Sequence, residues 1–389
     1  MPSWRALRRV YVGLALLWLN ACLLFVAANL AALGYASLRG GPASPLVPTG
    51  PDPARLKQLL PEIGDGAADF SREISREIIY EPFTQFREKP SAGRFVNVDP
   101  AGFRPGKGQG PWPPEPAYFN VFLFGGSTTF GYGVPDNYTI GSYLQDRLSR
   151  AGLPRPPRVY NFGRGAYFSA QERALFEKLA LDGFVPDLAV FVDGLNDFFF
   201  IDGAPVLTPW LSQLVDHRGL PPAHPYRAAV AALPLAHVLP LPQSPETDQG
   251  YPAPPREAPA PPAPFDDPRA LDAVIRRYLA GKRLAEGAAR ALDLRTAFVW
   301  QPVPMYRCDA CDQQPAGFGR HEYSRFGYPR MAALRATPAV GEDFIWCADI
   351  QEGVAGPLYV DQVHYTPRMS DLIAACITEG LHDRHLIER

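Results

Sequence analysis

The sequence predicts an α/β fold, a doubly wound parallel sheet of five strands preceded by one transmembrane helix. Three observations point there. Beyond Tyr118, five short apolar runs alternate with stretches of helical period, the pattern of strands linked by crossover helices. Ahead of them, an uncharged segment from Val10 to Leu38 directly follows Arg5, Arg8 and Arg9. Finally, 389 residues with 47% hydrophobic content suffice for a large core plus insertions.

Residues 1–9 read as a cytoplasmic N-terminus and 10–35 as a transmembrane anchor, since about 20 apolar residues cross the ~30 Å hydrocarbon layer as a helix. A cleaved signal would carry an apolar region of only about 7–15 residues. The arginine flank places the N-terminus inside and everything after Leu38 on the extracytoplasmic, periplasmic side. Residues 36–116 are rich in turn formers and read as a stalk and irregular lead-in, with one short helical pattern at Ser71–Ile79.

The domain that follows spans 117–385. Its strands are Val121–Phe124, Arg158–Tyr160, Leu188–Val192, Thr296–Trp300 and a weaker Phe344–Trp346. The connecting helices are Thr139–Leu148, a helix opened by the capping-box sequence Ser169-Ala-Gln-Glu172 and ending near Leu181, Leu271–Leu292, and a last one headed by Thr366-Pro367 and running to Leu381. Between Pro240 and Pro264 lie ten prolines in 25 residues. They can neither pair in a sheet nor continue a helix, so about 240–265 reads as an extended, solvated insertion.

A net charge of −2 from 38 basic and 40 acidic residues argues against a nucleic-acid partner. Five cysteines are too few for a disulfide scaffold. Cys22 falls in the anchor, Cys308 and Cys311 form a lone C-x-x-C, and Cys347 and Cys376 stand isolated in sequence. Outside the cytoplasm a local disulfide is chemically reasonable, whereas zinc needs a second ligand pair that the sequence lacks.

In an open parallel sheet, ligands bind beyond the carboxyl ends of the strands. After the first strand comes Gly125-Gly126-Ser127-Thr128-Thr129. After the second comes Asn161-Phe162-Gly163-Arg164-Gly165-Ala166, and after the third Asp193-Gly194-Leu195-Asn196-Asp197. Before the last helix comes Asp361-Gln362-Val363-His364. A serine, backbone donors, an amide and a histidine with its carboxylate thus converge on one edge, the parts of an acyl-transfer site. The glycine-rich turn lacks the lysine of a phosphate loop, and Thr129 stands where a G-x-S-x-G elbow needs glycine. Of seven histidines, only His364 has an aspartate three residues earlier. Asp193 and Asp197 lack the further clustered carboxylates that a cation site needs, so neither metal nor organic cofactor is expected.

These four blocks, Gly125-Gly-Ser-Thr, Asn161-x-Gly, Gly194-x-Asn-Asp197 and Asp361-x-x-His364, resemble those of the SGNH, or GDSL-type, hydrolases over roughly Tyr118–Leu381. Two departures stand out. Gly126 replaces the acidic residue of Gly-Asp-Ser, and the family's oxyanion-hole glycine falls at Ala166, with Gly165 next to it. The resemblance implies a flavodoxin-like five-stranded sheet with Ser127 as nucleophile, His364 as base and Asp361 as its orienter. The oxyanion donors it implies are Ser127, Asn196 and one of Gly165 and Ala166. The expected activity is that of an anchored serine esterase or deacylase acting on an ester, with O-acyl groups of envelope glycans or lipids favoured by the tether. An acyltransferase would use the same serine with a sugar or lipid hydroxyl in place of water. A non-catalytic binding module is the third reading, and the presence of Ser127, Asp361 and His364 speaks against it. Phe198-Phe199-Phe200 suits either an acyl pocket or scaffold packing.

Overall fold

The computed structural model describes residues 4–38, 51–75, 77–208, 211, 263–308 and 318–387. The chain divides into two units, 1–45 with 209–260, and 46–208 with 261–389. The described element of the first is helix α1 (Trp4–Leu38). Within it, the 25 residues Arg8–Ala32 are long and apolar enough to cross a membrane. Its exposed apolar residues include Leu14, Leu17, Trp18, Leu24 and Leu30. Asn29 Nδ2 donates to the Phe25 carbonyl one turn back.

The second unit begins with helices α2 (Pro53–Leu59) and α3 (Ala67–Ile74) and an antiparallel hairpin of β1 (Ile78–Glu81) and β2 (Gln85–Glu88). The central sheet holds β3 (Phe119–Gly125), β4 (Pro157–Asn161), β5 (Leu188–Asp193), β6 (Arg295–Trp300) and β7 (Phe344–Trp346). Its order is β4-β3-β5-β6-β7, all parallel. This is the flavodoxin-like arrangement, with the switch point at β3. The helices are α4 (Ser127–Phe130), α5 (Ile140–Arg150), α6 (Ser169–Leu181), α7 (Leu195–Phe199), α8 (Pro268–Ala291), α9 (Tyr323–Leu334) and α10 (Pro367–Asp383).

Strand alternation sorts the core into two layers. Val121, Leu123, Val190, Val192, Ala297 and Val299 face α5 and α10, burying Ile140, Leu144, Met369, Ile373 and Ile377. On the other face, Phe124 stacks on Phe191 and Phe191 on Phe298, with centroids 5.0 and 4.9 Å apart, under Phe176 of α6. Both faces are covered, so the middles of β3, β5 and β6 are apolar on both sides.

Several local expectations change. The lead-in is more ordered than its turn formers suggest. Its Leu56, Leu60, Phe70, Ile74, Phe95 and Val96 share a core with Phe130, Tyr132 and Val134, just beyond Ser127. The helical pattern at Ser71–Ile79 is the end of α3 followed by the start of β1. Ser169 caps nothing, because Phe168 is the N-cap of α6 and Ser169 Oγ instead donates to Asp197 Oδ1 at 2.5 Å. Thr139 and Thr366 do cap α5 and α10, accepting from the N–H groups of Ser142 and Met369. Cys347 and Cys376, isolated in sequence, form a disulfide that ties the end of β7 to α10. Cys308 is disulfide-bonded as well. Cys311 and residues 240–262 of the proline-rich insertion lie outside the described residues.

Candidate active site

β3 ends in Gly125, and the chain turns through Gly126 into α4, whose first residue is Ser127. Space dictates both glycines: a Cβ on Gly125 would lie 2.1 Å from Thr129 Oγ1, and one on Gly126 2.4 Å from Asn196 Nδ2. As the first helical residue, Ser127 also has an N–H with no carbonyl a turn earlier.

His364 Nε2 lies 2.9 Å from Ser127 Oγ, and His364 Nδ1 lies 2.7 Å from Asp361 Oδ2. Asp361 Oδ1 accepts the N–H groups of Val363 and His364 at 2.9 and 2.8 Å, so the short loop folds around its own carboxylate. Burial alone would raise the Asp361 carboxyl. His364, with those two N–H groups, more than offsets it and holds the carboxyl far below the usual carboxylate range. An ionised Asp361 fixes the proton on Nδ1 and leaves Nε2 as the acceptor facing serine. Tyr132 stacks on the imidazole with centroids 5.7 Å apart.

A residue the sequence reading passed over joins the two halves. At the end of β6, Gln301 Oε1 accepts from Thr128 Oγ1 at 2.7 Å and Tyr365 Oη at 2.9 Å, the neighbours of Ser127 and His364. One amide thereby sets the nucleophile turn against the base loop.

The loop after β4 is built by Asn161. Its Nδ2 donates to the Thr129 carbonyl at 2.8 Å and its Oδ1 accepts the Gly163 N–H at 2.9 Å. Gly163 is forced by contact, since a Cβ there would meet Phe130 N at 2.3 Å. Gly165 and Ala166 then part company. The Gly165 N–H is taken by Glu88 Oε1 at 2.6 Å, whereas Ala166 sits at φ +58° and its N–H makes no hydrogen bond among the described residues. From α7, Asn196 Nδ2 donates to the Tyr167 carbonyl at 2.6 Å, leaving its second amide hydrogen unassigned. Gly194 at φ +118° makes the strand-to-helix turn, and Asp197 Oδ2 accepts its N–H at 3.2 Å.

Asp197 is therefore a turn anchor. Asp193 and Glu172 form a buried carboxyl pair behind the loop, both raised by burial first and by neighbouring carboxylates second. Of the three phenylalanines, Phe198 is core, packed on Trp300 and Tyr328, and Phe200 packs on Phe168. Phe199 packs on His321 with the rings tilted by 41° and centroids 4.6 Å apart. Burial and the nearby His364 push His321 down to about 4, so its ring is neutral at pH 7.

Among solved structures the chain is similar to a lipolytic protein of the G-D-S-L family from Desulfitobacterium hafniense, with 10% identity, 68% of this chain and 99% of that one covered, and a TM-score of 0.35. A member of the same lipolytic family from Veillonella parvula has 11% identity, 67% and 96% coverage and a TM-score of 0.37. The psychrotrophic esterase EstA from Pseudoalteromonas has 11% identity, 68% and 97% coverage and a TM-score of 0.35. No protein-family model matches the chain, and no curated protein does.

Proposed function

We propose that the chain is a membrane-anchored, extracytoplasmic serine esterase of the SGNH type that removes O-acyl groups from envelope glycans or lipids through an acyl-serine. The observation that carries this reading is the unbroken hydrogen-bonded series Asp361–His364–Ser127, beside a set of unengaged donors. Ser127 Oγ attacks the ester carbonyl carbon while its proton passes to His364 Nε2, and the carbonyl π pair moves onto oxygen. The N–H groups of Ser127 and Ala166 and the Asn196 amide hold that oxyanion, preorganised where charge develops. Collapse breaks the ester C–O bond, and the departing alcohol takes the proton from His364. Water then gives His364 a proton, attacks the acyl carbon and releases Ser127, which recovers the proton.

Of the two neighbouring loop residues, Ala166 is assigned as donor because Glu88 occupies Gly165. The Arg5, Arg8 and Arg9 flank supports the topology, as does the Cys347–Cys376 disulfide, a bond that persists in oxidising compartments. The substrate class rests on the tether, which keeps the enzyme beside envelope polymers and lipids.

The test is a fluorophosphonate probe together with a panel of acetylated glycans and short-chain esters. Wild type should be labelled and should release acid from a panel member. A folded Ser127→Ala protein should lose labelling and turnover together; persistent labelling would assign the nucleophile elsewhere. Acyl groups appearing on an added hydroxyl acceptor instead of in water would make the enzyme a transferase.

A further inference from the structure

We infer that Glu88, on the hairpin that precedes the sheet, is a positioning residue that sets the oxyanion loop; this rests on the esterase reading above. Glu88 lies 77 residues before Gly165 and outside every block that suggested the activity. Strand alternation puts it on the buried side of β2 with Phe86, at 2% exposure. A carboxylate there is costly unless its lone pairs are met. Glu88 Oε1 accepts the Gly165 N–H at 2.6 Å and the Tyr132 hydroxyl at 3.4 Å.

Both partners belong to the site. Gly165 precedes Ala166, and only the φ and ψ of Gly165 lie between the two N–H groups. Capturing the first therefore restricts where the second points. Tyr132 is the ring stacked on His364, so the same oxygen touches the donor loop and the wall of the base. The rest of the hairpin grips the same loop. The Arg164 guanidinium, buried at 1% exposure, pairs with Glu81, Tyr167 Oη donates to the Phe86 carbonyl, and Phe86 meets the Tyr167 ring edge-on at 5.3 Å. The Tyr167 carbonyl in turn receives Asn196. Without Glu88 the Gly165 N–H is orphaned, and that peptide plane is held only by the longer bond its Arg164 carbonyl accepts from the Tyr167 N–H at 3.3 Å, so the turn that carries Ala166 loosens.

The experiment compares Glu88→Ala, Glu88→Met and Glu88→Gln in the full-length protein in detergent. Met fills the volume without an acceptor, and Gln keeps an acceptor without charge. Two readouts are taken: amide hydrogen exchange of the peptide covering 163–167, and kcat and KM on a short-chain ester. Ala and Met should speed exchange in that peptide while leaving the 188–193 strand protected. They should lower kcat between about tenfold and a hundredfold, the cost of an ångström-scale misplacement, with KM within about twofold. Gln should restore both readouts. Exchange at 163–167 unchanged in a folded Met variant overturns the inference whether or not any ester is turned over. Gln behaving like Met overturns it as well. If the esterase reading fails instead, wild type turns over no ester while the exchange pattern still follows the acceptor.

Discussion

Removing the Asn196 amide should separate a donor from a turn former. In Asn196→Ala two things are lost. The Tyr167 carbonyl, on a fully buried residue, loses the Nδ2–H that meets it at 2.6 Å, a cost of about 1–3 kcal/mol in stability. The second amide hydrogen, unassigned in the resting site, is no longer there when charge develops on the substrate oxygen. Loss of one such donor lowers kcat by about 10²–10³. The two effects are read in different assays: thermal unfolding for the first, and kcat on a short-chain ester well below the transition for the second. Ser127 and His364 remain paired, so slow fluorophosphonate labelling should survive, unlike in Ser127→Ala. Asn196→Asp supplies a control of nearly the same size. It sets an acceptor against the Tyr167 carbonyl and against the oxyanion, and should fall at least as far as Ala. A folded Asn196→Ala protein keeping more than about a fifth of wild-type kcat would refute the assignment, because the missing term is about a hundredfold or more.

His321 should make the protein acid-sensitive. Its folded value of about 4 lies below the ordinary value of 6.5, so the unfolded chain binds the proton more readily; its contribution is complete above about pH 6.5 and is lost as pH falls toward 4. His321→Phe, which keeps the ring against Phe199, should show a smaller drop in Tm between pH 7 and pH 4.5 than wild type, and an equal or larger drop would contradict the sign. For topology, alkaline phosphatase fused after Arg389 should be active in a bacterial host; strong activity from a cytoplasm-only reporter at the same point would reverse the orientation.

Local pattern made most of the scaffold legible. The central segments Val121–Phe124 and Leu188–Val192 are apolar on both faces because both faces are covered, so each stands out within a handful of residues. The edge strand Phe344–Trp346 was weaker only because it is short. Chain order then placed Ser127 and Asn196 just past strand ends that the parallel sheet brings to one edge, and the Asp361–His364 loop just ahead of the last helix. The folded loop also reproduces the three-residue spacing of Asp361 and His364 as a direct 2.7 Å contact.

Tertiary structure decided what depends on partners arriving from far along the chain. Ser169 carried a capping sequence, yet Asp197, 28 residues on, captured its hydroxyl. Cys347 and Cys376 met because α10 packs beside β7, and no spacing rule foretells that. Gln301 reads as a residue after a strand until Thr128 and Tyr365 both reach it. The sequence leaves Gly165 and Ala166 level, but Glu88 from the hairpin takes the Gly165 N–H, while the Ala166 N–H makes no hydrogen bond among the described residues. Hydrophobic periodicity is a property of neighbours in sequence and survives in the bare string of residues. The acceptor that claims a given N–H is settled only by which groups the packed core brings within 3 Å of it.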